Sequence, residues 1–182
     1  VKLSDKIPNQ ISVEATENGW WYVAPYTENE VTMMFFTLKK LLPKKEQTKI
    51  FLQDELQKTI HLSKLFNIIQ INTVKIMPAG TSCLQIPYGK NWLAVGDASY
   101  SYDPISSYGI TSALASGFYG GHAVADFLNG KTAALETYRY VVENAFRAYL
   151  QKLIAHYELE KRWKQSPYWT QRLAIFSTEN AV

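Results

Sequence analysis

The feature that most constrains the fold is the segment at residues 92–121, WLAVGDASYSYDPISSYGITSALASGFYGG. Its short apolar start is typical of a strand buried on both faces, as in a parallel sheet covered by helices. The run stops at Gly96 and Asp97, an irregular stretch follows, and helical spacing begins near Gly109. A strand end beside a helix N-terminus is a usual place for ligands, because backbone amides and the helix dipole point into it. The segment therefore predicts a ligand-binding loop.

Four positions in this loop suit a flat ligand that carries hydroxyl groups. Gly96 lets the chain turn closely, and Asp97 offers a carboxylate to a hydroxyl. Pro104 stiffens the loop, and Gly109 has no side chain that would block a flat ring. The alternative is an ordinary strand–loop–helix connection in which Asp97 caps local amides.

The residues before the loop predict an antiparallel meander with one helix. Strand-like sequence at residues 11–23 is split by the turn signal Glu17-Asn18-Gly19, and residues 31–37 form a third β-prone run. Apolar residues three and four apart predict a single helix over residues 47–66. Further strands are expected at residues 68–77 and 83–88.

The residues after the loop predict two long helices. Helical spacing runs over residues 110–128 and again over residues 132–163, with Asn129-Gly130 between them and a break at Ser166-Pro167. The first of these helices has a strip of small residues at four-residue spacing, Ala113, Gly117, Gly121 and Ala125. Because glycine within a helix costs up to ~1 kcal/mol relative to alanine, the strip predicts close approach of a backbone or a ligand. The alternative is that these glycines are merely tolerated at a surface.

The loop resembles a known flavin-binding pattern. Gly96-Asp97-Ala98, with Pro104 seven residues after the aspartate and Gly109 five further on, is similar to the second FAD fingerprint of aromatic-hydroxylase-type flavoproteins. The resemblance implies an α+β fold, an incomplete FAD/NAD(P)-binding fold with an antiparallel substrate-side sheet and one helix. Residues 1–90 would form the substrate-side portion, residues 91–130 the FAD-binding strand–loop–helix, and residues 131–182 a C-terminal helical region.

The same resemblance implies roles for individual residues. Asp97 would contact the ribityl chain of FAD, and the loop from Pro104 to Gly109 would face the isoalloxazine ring. The amides near Gly109, Ile110 and Thr111 would stabilise negative charge at the N1 and C2 carbonyl side of the reduced flavin. The helix that follows would pack against the dinucleotide-binding domain of the family.

A second resemblance lies at residues 19–25, GWWYVAP. Flavin-dependent tryptophan halogenases have a Trp-x-Trp-x-Ile-Pro motif at the comparable place, where Trp20 and Pro25 match but Tyr22 and Ala24 do not. That departure argues against a halogenase. With Ser-Pro-Tyr-Trp at residues 166–169, the pattern is more similar to flavin monooxygenase-type proteins that build protein-derived quinone cofactors. Trp20 and Tyr22 would then line the substrate side, and the alternative is that both are core residues.

The resemblance implies an FAD-dependent monooxygenase, in which reduced FAD reacts with oxygen and a C4a-hydroperoxide transfers oxygen to a small-molecule or protein-derived aromatic substrate. Electrons would come from reduced nicotinamide or from a flavin reductase. A flavin-dependent halogenase and a flavin-dependent reductase are variants of this hypothesis. A non-catalytic binding module that keeps half of the fold is the alternative from another class.

The sequence has no G-x-G-x-x-G after a strand, so these residues are not expected to bind the pyrophosphate of FAD. Because the first residue is Val1, we expect a dinucleotide-binding segment upstream, and we expect the 182 residues alone to bind FAD poorly and to be inactive. Truncation would expose apolar strand edges and the small-residue strip, through which a homodimer could form.

Composition limits the kinds of partner, compartment and metal site that this sequence suggests. A net charge of +3, from 19 basic and 16 acidic residues, is too small and too mixed to indicate nucleic-acid binding. One cysteine, Cys83, permits no internal disulfide and favours a reducing, cytoplasmic compartment. No apolar run approaches the ~20 residues of a membrane-spanning helix. The three histidines are far apart in the sequence, so no metal site is expected.

Overall fold

The computed structural model describes residues 1–3, 9–66 and 68–179. The chain divides into two compact units, one made of residues 1–77 with 157–182 and one made of residues 78–156. Both units combine helices with antiparallel strand pairs, which confirms the predicted α+β class. The division into three functional segments at residues 90 and 130 stays a prediction.

The first unit contains an antiparallel three-stranded meander. Its strands, and the two that pair separately from it, are β1 (Lys2–Leu3), β2 (Ser12–Thr16), β3 (Gly19–Pro25), β4 (Val31–Phe36) and β5 (Ile68–Gln70). The order in the meander is β2-β3-β4, and β1 pairs with β5. The predicted hairpin turn at residues 17–19 is confirmed. The strand expected over residues 68–77 is shorter than predicted, because after β5 the chain runs on without ladder partners among the described residues.

Gly19 is required at the tight end of this meander. A Cβ atom built on it would lie 2.1 Å from the carbonyl oxygen of Phe36 on the neighbouring strand, far inside van der Waals contact. Any side chain would therefore push the start of β3 away from the end of β4. The glycine of the predicted turn is therefore needed for this close approach as well as for the turn itself.

The predicted helix over residues 47–66 is wrong in one respect: two helices occupy it, α1 (Thr48–Gln57) and α2 (Leu62–Leu65). The Glu14 carboxylate, from β2, causes the break by accepting hydrogen bonds from three consecutive backbone amides, those of Ile60, His61 and Leu62. An acidic side chain at a helix start satisfies amides that have no intrahelical partner and favours the end of the helix dipole. Apolar spacing carries no trace of that long-range cap.

The core of the first unit forms where the meander packs on α1 and α2. Its buried members are Trp21, Val23, Val31, Leu56, Leu62 and Phe66. A third helix, α5 (Pro167–Glu179), starts where the sequence predicts only a break. The indole of Trp169 donates to the carbonyl of Thr16 at 2.9 Å, and the Ser166 hydroxyl donates to the carbonyl of Glu17 at 2.6 Å. These two bonds tie the C-terminal segment to the first hairpin.

The second unit consists of short strand pairs and two long helices. The elements are β6 (Ser82–Cys83), β7 (Tyr88–Gly89), β8 (Trp92–Leu93), β9 (Tyr100–Ser101), α3 (Gly109–Leu128) and α4 (Ala134–Tyr157), the last residue of which belongs to the first unit. Both predicted long helices are confirmed, but α4 ends at residue 157 rather than 163. Gly130 separates them in a left-handed conformation with φ of +88°.

The expectation of a buried, parallel strand at residues 92–95 is wrong for this structure. β8 pairs antiparallel with β7 across a two-residue turn, and the Trp92 side chain is 55% exposed. The strand expected over residues 83–88 is likewise not continuous: only Cys83, in β6, and Tyr88, in β7, lie in strands. A fully apolar run predicts burial only if other elements cover it, and Trp92, whose indole lies against Gly89 on the paired strand, keeps more than half of its surface exposed.

Candidate functional site

The loop predicted to bind a ligand begins with a tight turn at Gly96. Gly96 adopts φ of +56°, a left-handed conformation that favours glycine, and a Cβ atom there would lie 3.1 Å from the Cβ of Ala113 on α3. Its amide donates to the Ser116 hydroxyl at 2.7 Å. The turn is therefore locked onto α3 by close packing and by a buried hydrogen bond.

Asp97 follows this turn with its side chain exposed to solvent. Asp97 lies inside the short 3₁₀ turn Gly96–Ala98, whose N-cap residue is Val95. No described residue donates a hydrogen bond to its carboxylate. The carboxylate is thus accessible to a hydroxyl group of a ligand.

A second acidic residue in the loop, Asp103, was missed by the sequence analysis. It is 1% exposed, and its carboxylate caps the 3₁₀ turn Pro104–Ser106 by accepting from the amide of Ile105 at 3.0 Å. Its own amide donates to the hydroxyl of Tyr149 on α4 at 2.6 Å. An aspartate directly before a proline is a known turn-forming pair, and that signal could have identified Asp103 as the anchor of the loop.

The loop ends at the N-terminus of α3, which lies open. Ser107 has φ of +51°, and Tyr108, the N-cap residue, provides no side-chain cap. A Cβ atom on Gly109 would meet nothing within 4 Å, and Ile110 is 81% exposed. Because the first amides of a helix have no intrahelical partners, the amides of Gly109, Ile110 and Thr111 are donors that no described residue uses.

Four hydrogen bonds surround the Gly96 turn and the start of α3, and three of them involve α3 residues. The hydroxyl of Tyr100 donates to the carbonyl of Ser112 at 3.1 Å, and the hydroxyl of Ser112 donates to the carbonyl of Gly109 at 2.9 Å. On the strand side, the hydroxyl of Tyr138 donates to the carbonyl of Ala94 at 2.8 Å. Together with the Gly96–Ser116 bond, these contacts fix the Gly96 turn and the helix start relative to each other.

The predicted close approach along α3 occurs on a different row of small residues. A Cβ atom on Gly120 would lie 2.9 Å from both Leu93 and Val95, whereas Cβ atoms on Gly117 or Gly121 would meet nothing within 4 Å. The buried residues of α3 are Ser112, Ser116, Gly120 and Ala123. Of the predicted strip, Ala113 makes a close contact with Gly96, whereas Gly117 and Gly121 face open space, so approach of a ligand or of another backbone to them stays a prediction.

The two aromatic residues assigned to a substrate side lie in different surroundings. Trp20 is 2% exposed, stacks on Phe36 with ring centroids 4.1 Å apart, and donates from its indole to the hydroxyl of Tyr157 at 3.2 Å. Tyr22 is half-buried, and its cross-strand neighbours Val13 and Met34 are exposed. Within the described residues, Trp20 is surrounded by its own unit, and Tyr22 keeps an open side.

Burial shapes the electrostatics around the loop. Desolvation raises the pKa of Tyr100 and of Tyr138, and the same effect raises the pKa of Tyr102 most strongly, with help from the neighbouring Tyr100 and Tyr149. These phenols therefore stay neutral well above physiological pH. The tyrosines that pack against the loop are therefore neutral hydrogen-bonding groups.

Among the described residues, no three His, Cys, Asp or Glu side chains are placed so that they could hold a metal ion. Within the same part of the chain, no helix combines the length and the apolar character needed to cross a membrane.

Comparison with known proteins gives these features a context. No protein-family model matches the chain. Over 172 residues, 93% of its length, the chain is 25% identical to the curated protein named "Putative FAD-dependent oxidoreductase LodB" from Marinomonas mediterranea. It spans 46% of that relative, about half of its length.

Three solved structures share the fold. The peptidyl tryptophan dihydroxylase QhpG, described as essential for tryptophylquinone cofactor biogenesis, matches with a TM-score of 0.80 and 18% identity over 94% of this chain and 42% of its own. The myxobacterial chondrochloren halogenase CndH matches with 0.80 and 18% over 98% of this chain and 44% of its own. The flavin-dependent halogenase CmlS gives 0.81 and 19% over 98% of this chain and 36% of its own.

The fold is therefore that of part of an FAD-dependent halogenase or monooxygenase. This confirms the resemblance that the Gly96-Asp97 loop implies. The relative and the three structures are longer proteins, of which the chain covers between 36% and 46%.

Proposed function

We propose that the chain is the flavin-facing part of an FAD-dependent oxidoreductase and that the whole protein is a monooxygenase acting on an aromatic substrate. The observation that carries the proposal is the open N-terminus of α3, held against the tight Gly96 turn, in a fold shared with FAD-dependent enzymes. Unused amides at a fixed position are donors that need no reorganisation when a negatively charged group arrives.

The described residues fit FAD in three ways. The exposed Asp97 carboxylate is free to accept hydrogen bonds from the ribityl hydroxyls. The empty space at Gly109 admits the edge of a flat ring. The amides of Ile110 and Thr111 then donate to the N1 and C2 carbonyl side, where a reduced flavin carries negative charge. Bound FAD would supply the activation of oxygen, and these residues bind and orient it.

The electrons would come from reduced nicotinamide or from a separate flavin reductase. The substrate would be a small-molecule or a protein-derived aromatic group, and the open side of Tyr22 is the candidate contact in the first unit. The peptidyl tryptophan dihydroxylase among the similar structures supports oxygenation of an aromatic ring.

A flavin-dependent halogenase is the second candidate, because two of the similar structures are halogenases. The sequence at residues 19–25 departs from the tryptophan-halogenase motif at Tyr22 and Ala24, which favours the monooxygenase. The full-length protein, supplied with FAD and a flavin reductase, should consume oxygen in a substrate-dependent manner without chloride or bromide. A product that forms only with halide, and carries it, would favour the halogenase.

The flavin contact itself is tested by FAD titration of the full-length protein, followed by quenching of flavin fluorescence. Losing hydrogen bonds to a charged group costs about 1.5–3 kcal/mol, so Asp97→Ala should weaken FAD binding about tenfold or more. Asp54→Ala, which removes an exposed carboxylate from α1, is the matched control and should change nothing. Equal affinities in the two variants would remove Asp97 from the flavin site, and a full-length protein that binds no FAD would leave the binding module as the better hypothesis.

A further inference from the structure

A cavity of about 440 Å³ opens in the second unit between the loop and α4. It does not include the exposed Asp97 or the amides of the α3 N-terminus. Its lining includes three tyrosines, two alanines and a lysine: Tyr102, Tyr108, Tyr149, Ala145, Ala148 and Lys152. A volume of this size lies within the range of small-molecule sites, roughly 300–1,000 Å³.

The walls of the cavity are flat and largely apolar. Tyr102 stacks on Tyr149 with ring centroids 3.9 Å apart, and the Tyr108 ring lies 6.2 Å from that of Tyr102. On α4, Ala145 and Ala148 contribute only methyl groups, and these leave space beside the rings. Flat aromatic walls around an open slot suit a planar ring, which can stack on or lie edge-on to the tyrosines.

The charge at the cavity has one sign. Among its lining residues, Lys152 and His156 carry nitrogen groups that can be cationic, and neither an aspartate nor a glutamate is present. The two lie four residues apart on α4 and therefore on one face of the helix. The pKa of Tyr102 is raised by burial, so its phenol does not add negative charge. An anionic group of a ligand would meet these donors and no carboxylate of the lining, because the Asp103 carboxylate is buried and bonded to the amide of Ile105.

The loop side of the cavity is rigid before any ligand arrives. The buried Asp103 carboxylate accepts from the amide of Ile105, and the Asp103 amide donates to the hydroxyl of Tyr149. These bonds connect the loop wall directly to the helix wall. A site whose walls are already in place loses little entropy on binding, which favours a specific ligand.

We propose that this cavity is a binding site for a planar aromatic carboxylate. The ring lies against Tyr102, Tyr108 and Tyr149 above the two alanines, and the carboxylate accepts from the ammonium group of Lys152 with His156 beside it. The site does not include Asp97 or the amides of Gly109, Ile110 and Thr111, although Ile105, Ser106 and Tyr108 of its lining belong to the loop proposed to face the flavin. Binding of the probe does not require the proposed function.

The probe is 2-naphthoate, which is titrated into the full-length protein and followed by isothermal titration calorimetry. We expect saturable one-to-one binding, about tenfold weaker for the uncharged isostere 2-naphthamide, because a charge-assisted hydrogen bond is lost. Lys152→Gln should weaken 2-naphthoate by a similar factor, whereas the exposed Lys161→Gln should not. Equal binding of the two ligands, or by the two variants, would overturn the proposal.

Filling the slot tests its location. Ala148→Trp should abolish binding while the thermal unfolding midpoint stays within a few degrees, and Ala145→Leu replaces it if the tryptophan variant does not fold. Binding that survives a folded cavity-filling variant would contradict the site. A repeat in the presence of saturating FAD should leave the affinity unchanged, and competition by FAD would place the probe in the flavin site instead.

Discussion

Strand β3 and helix α3 are both apolar, yet their side chains lie in opposite surroundings. On β3, Trp20 and Trp21 are 2% and 3% exposed, because they face opposite sides of the sheet and both sides are covered. Trp21 packs in the core with residues of α1 and α2, and Trp20 contacts Phe36 and Tyr157. On α3, Ile110 and Leu114 are 81% and 71% exposed, and the buried face consists of serines, glycine and alanine. An ordinary surface helix buries its large apolar residues, and α3 buries its small ones.

The difference shows which demand shaped each element. β3 supplies bulk to a core, so its large rings face inward. α3 packs closely on the residues before the loop. Gly96 lies against Ala113, and the Leu93 and Val95 side chains lie against Gly120, where a larger residue would collide. The large apolar residues of α3 lie on its outer face, which no described residue covers.

The largest expected effect is the loss of a β3 ring. Trp20→Ala removes a buried indole, its stacking on Phe36 and its bond to Tyr157, and large-to-small core changes of this kind cost about 3–5 kcal/mol. Trp92→Ala, at a side chain that is more than half exposed, should cost less than about 1 kcal/mol. Urea denaturation of both variants makes the comparison, and similar losses would show that Trp92 is covered in solution.

Ionisation of buried tyrosines should lower the free energy of unfolding at high pH. A phenol whose folded pKa is raised holds its proton after the unfolded chain has lost one, so stability is intact below pH 10 and falls above it, by at most about 1.4 kcal/mol per pH unit for each such group. Tyr102→Phe should therefore be neutral at pH 7 and reduce the alkaline loss. Urea denaturation below and above pH 10 makes the comparison, and equal alkaline losses for Tyr102→Phe and the parent protein would contradict the expectation.

Replacing Gly96 by alanine should destabilise the protein, whereas the same change at Gly109 should not. Gly96→Ala forces a side chain into a left-handed conformation and towards Ala113, at a cost of about 1–2 kcal/mol. Gly109→Ala meets open space and adds a better helix former, so its stability should be equal or slightly higher. Thermal unfolding of the pair decides this, and an unaffected Gly96→Ala protein would show that the turn is not locked to α3.

The smallest effect is expected on the outer face of α3. Leu114→Ser changes a side chain that contacts little within the described residues, and stability should move by less than about 0.5 kcal/mol. A clear loss of stability would mean that this face is packed in solution. In that case the contrast with β3 would disappear.

Local signals in the sequence predicted much of this structure. The hairpin at residues 17–19, the start of α3 at Gly109 and the stop at Gly130 follow from turn and helix chemistry that acts over a few residues. The break between α1 and α2 could not be predicted, because its cause is Glu14, some 46 residues earlier in the chain. The antiparallel, open β8 and the inward row at Gly120 depend on which element lies opposite, and apolar spacing does not record that.

The candidate site divides in the same way. The positions of Gly96, Asp97 and Gly109 follow from motif spacing, whereas the buried Asp103 anchor and the tyrosine-lined cavity require the packing of the loop on α4. Trp20 and Tyr22 lie on the same strand, yet only the structure distinguishes the enclosed ring from the one with an open side.

The central claim is that the loop at residues 96–111 faces a flavin, and an FAD-bound crystal structure of the full-length protein tests it most directly. The account predicts an Asp97 carboxylate oxygen within about 3.2 Å of a ribityl hydroxyl and the amide of Ile110 or Thr111 equally close to N1 or the C2 carbonyl. An FAD molecule bound with its ring away from the α3 N-terminus, and with Asp97 in bulk solvent, would contradict it.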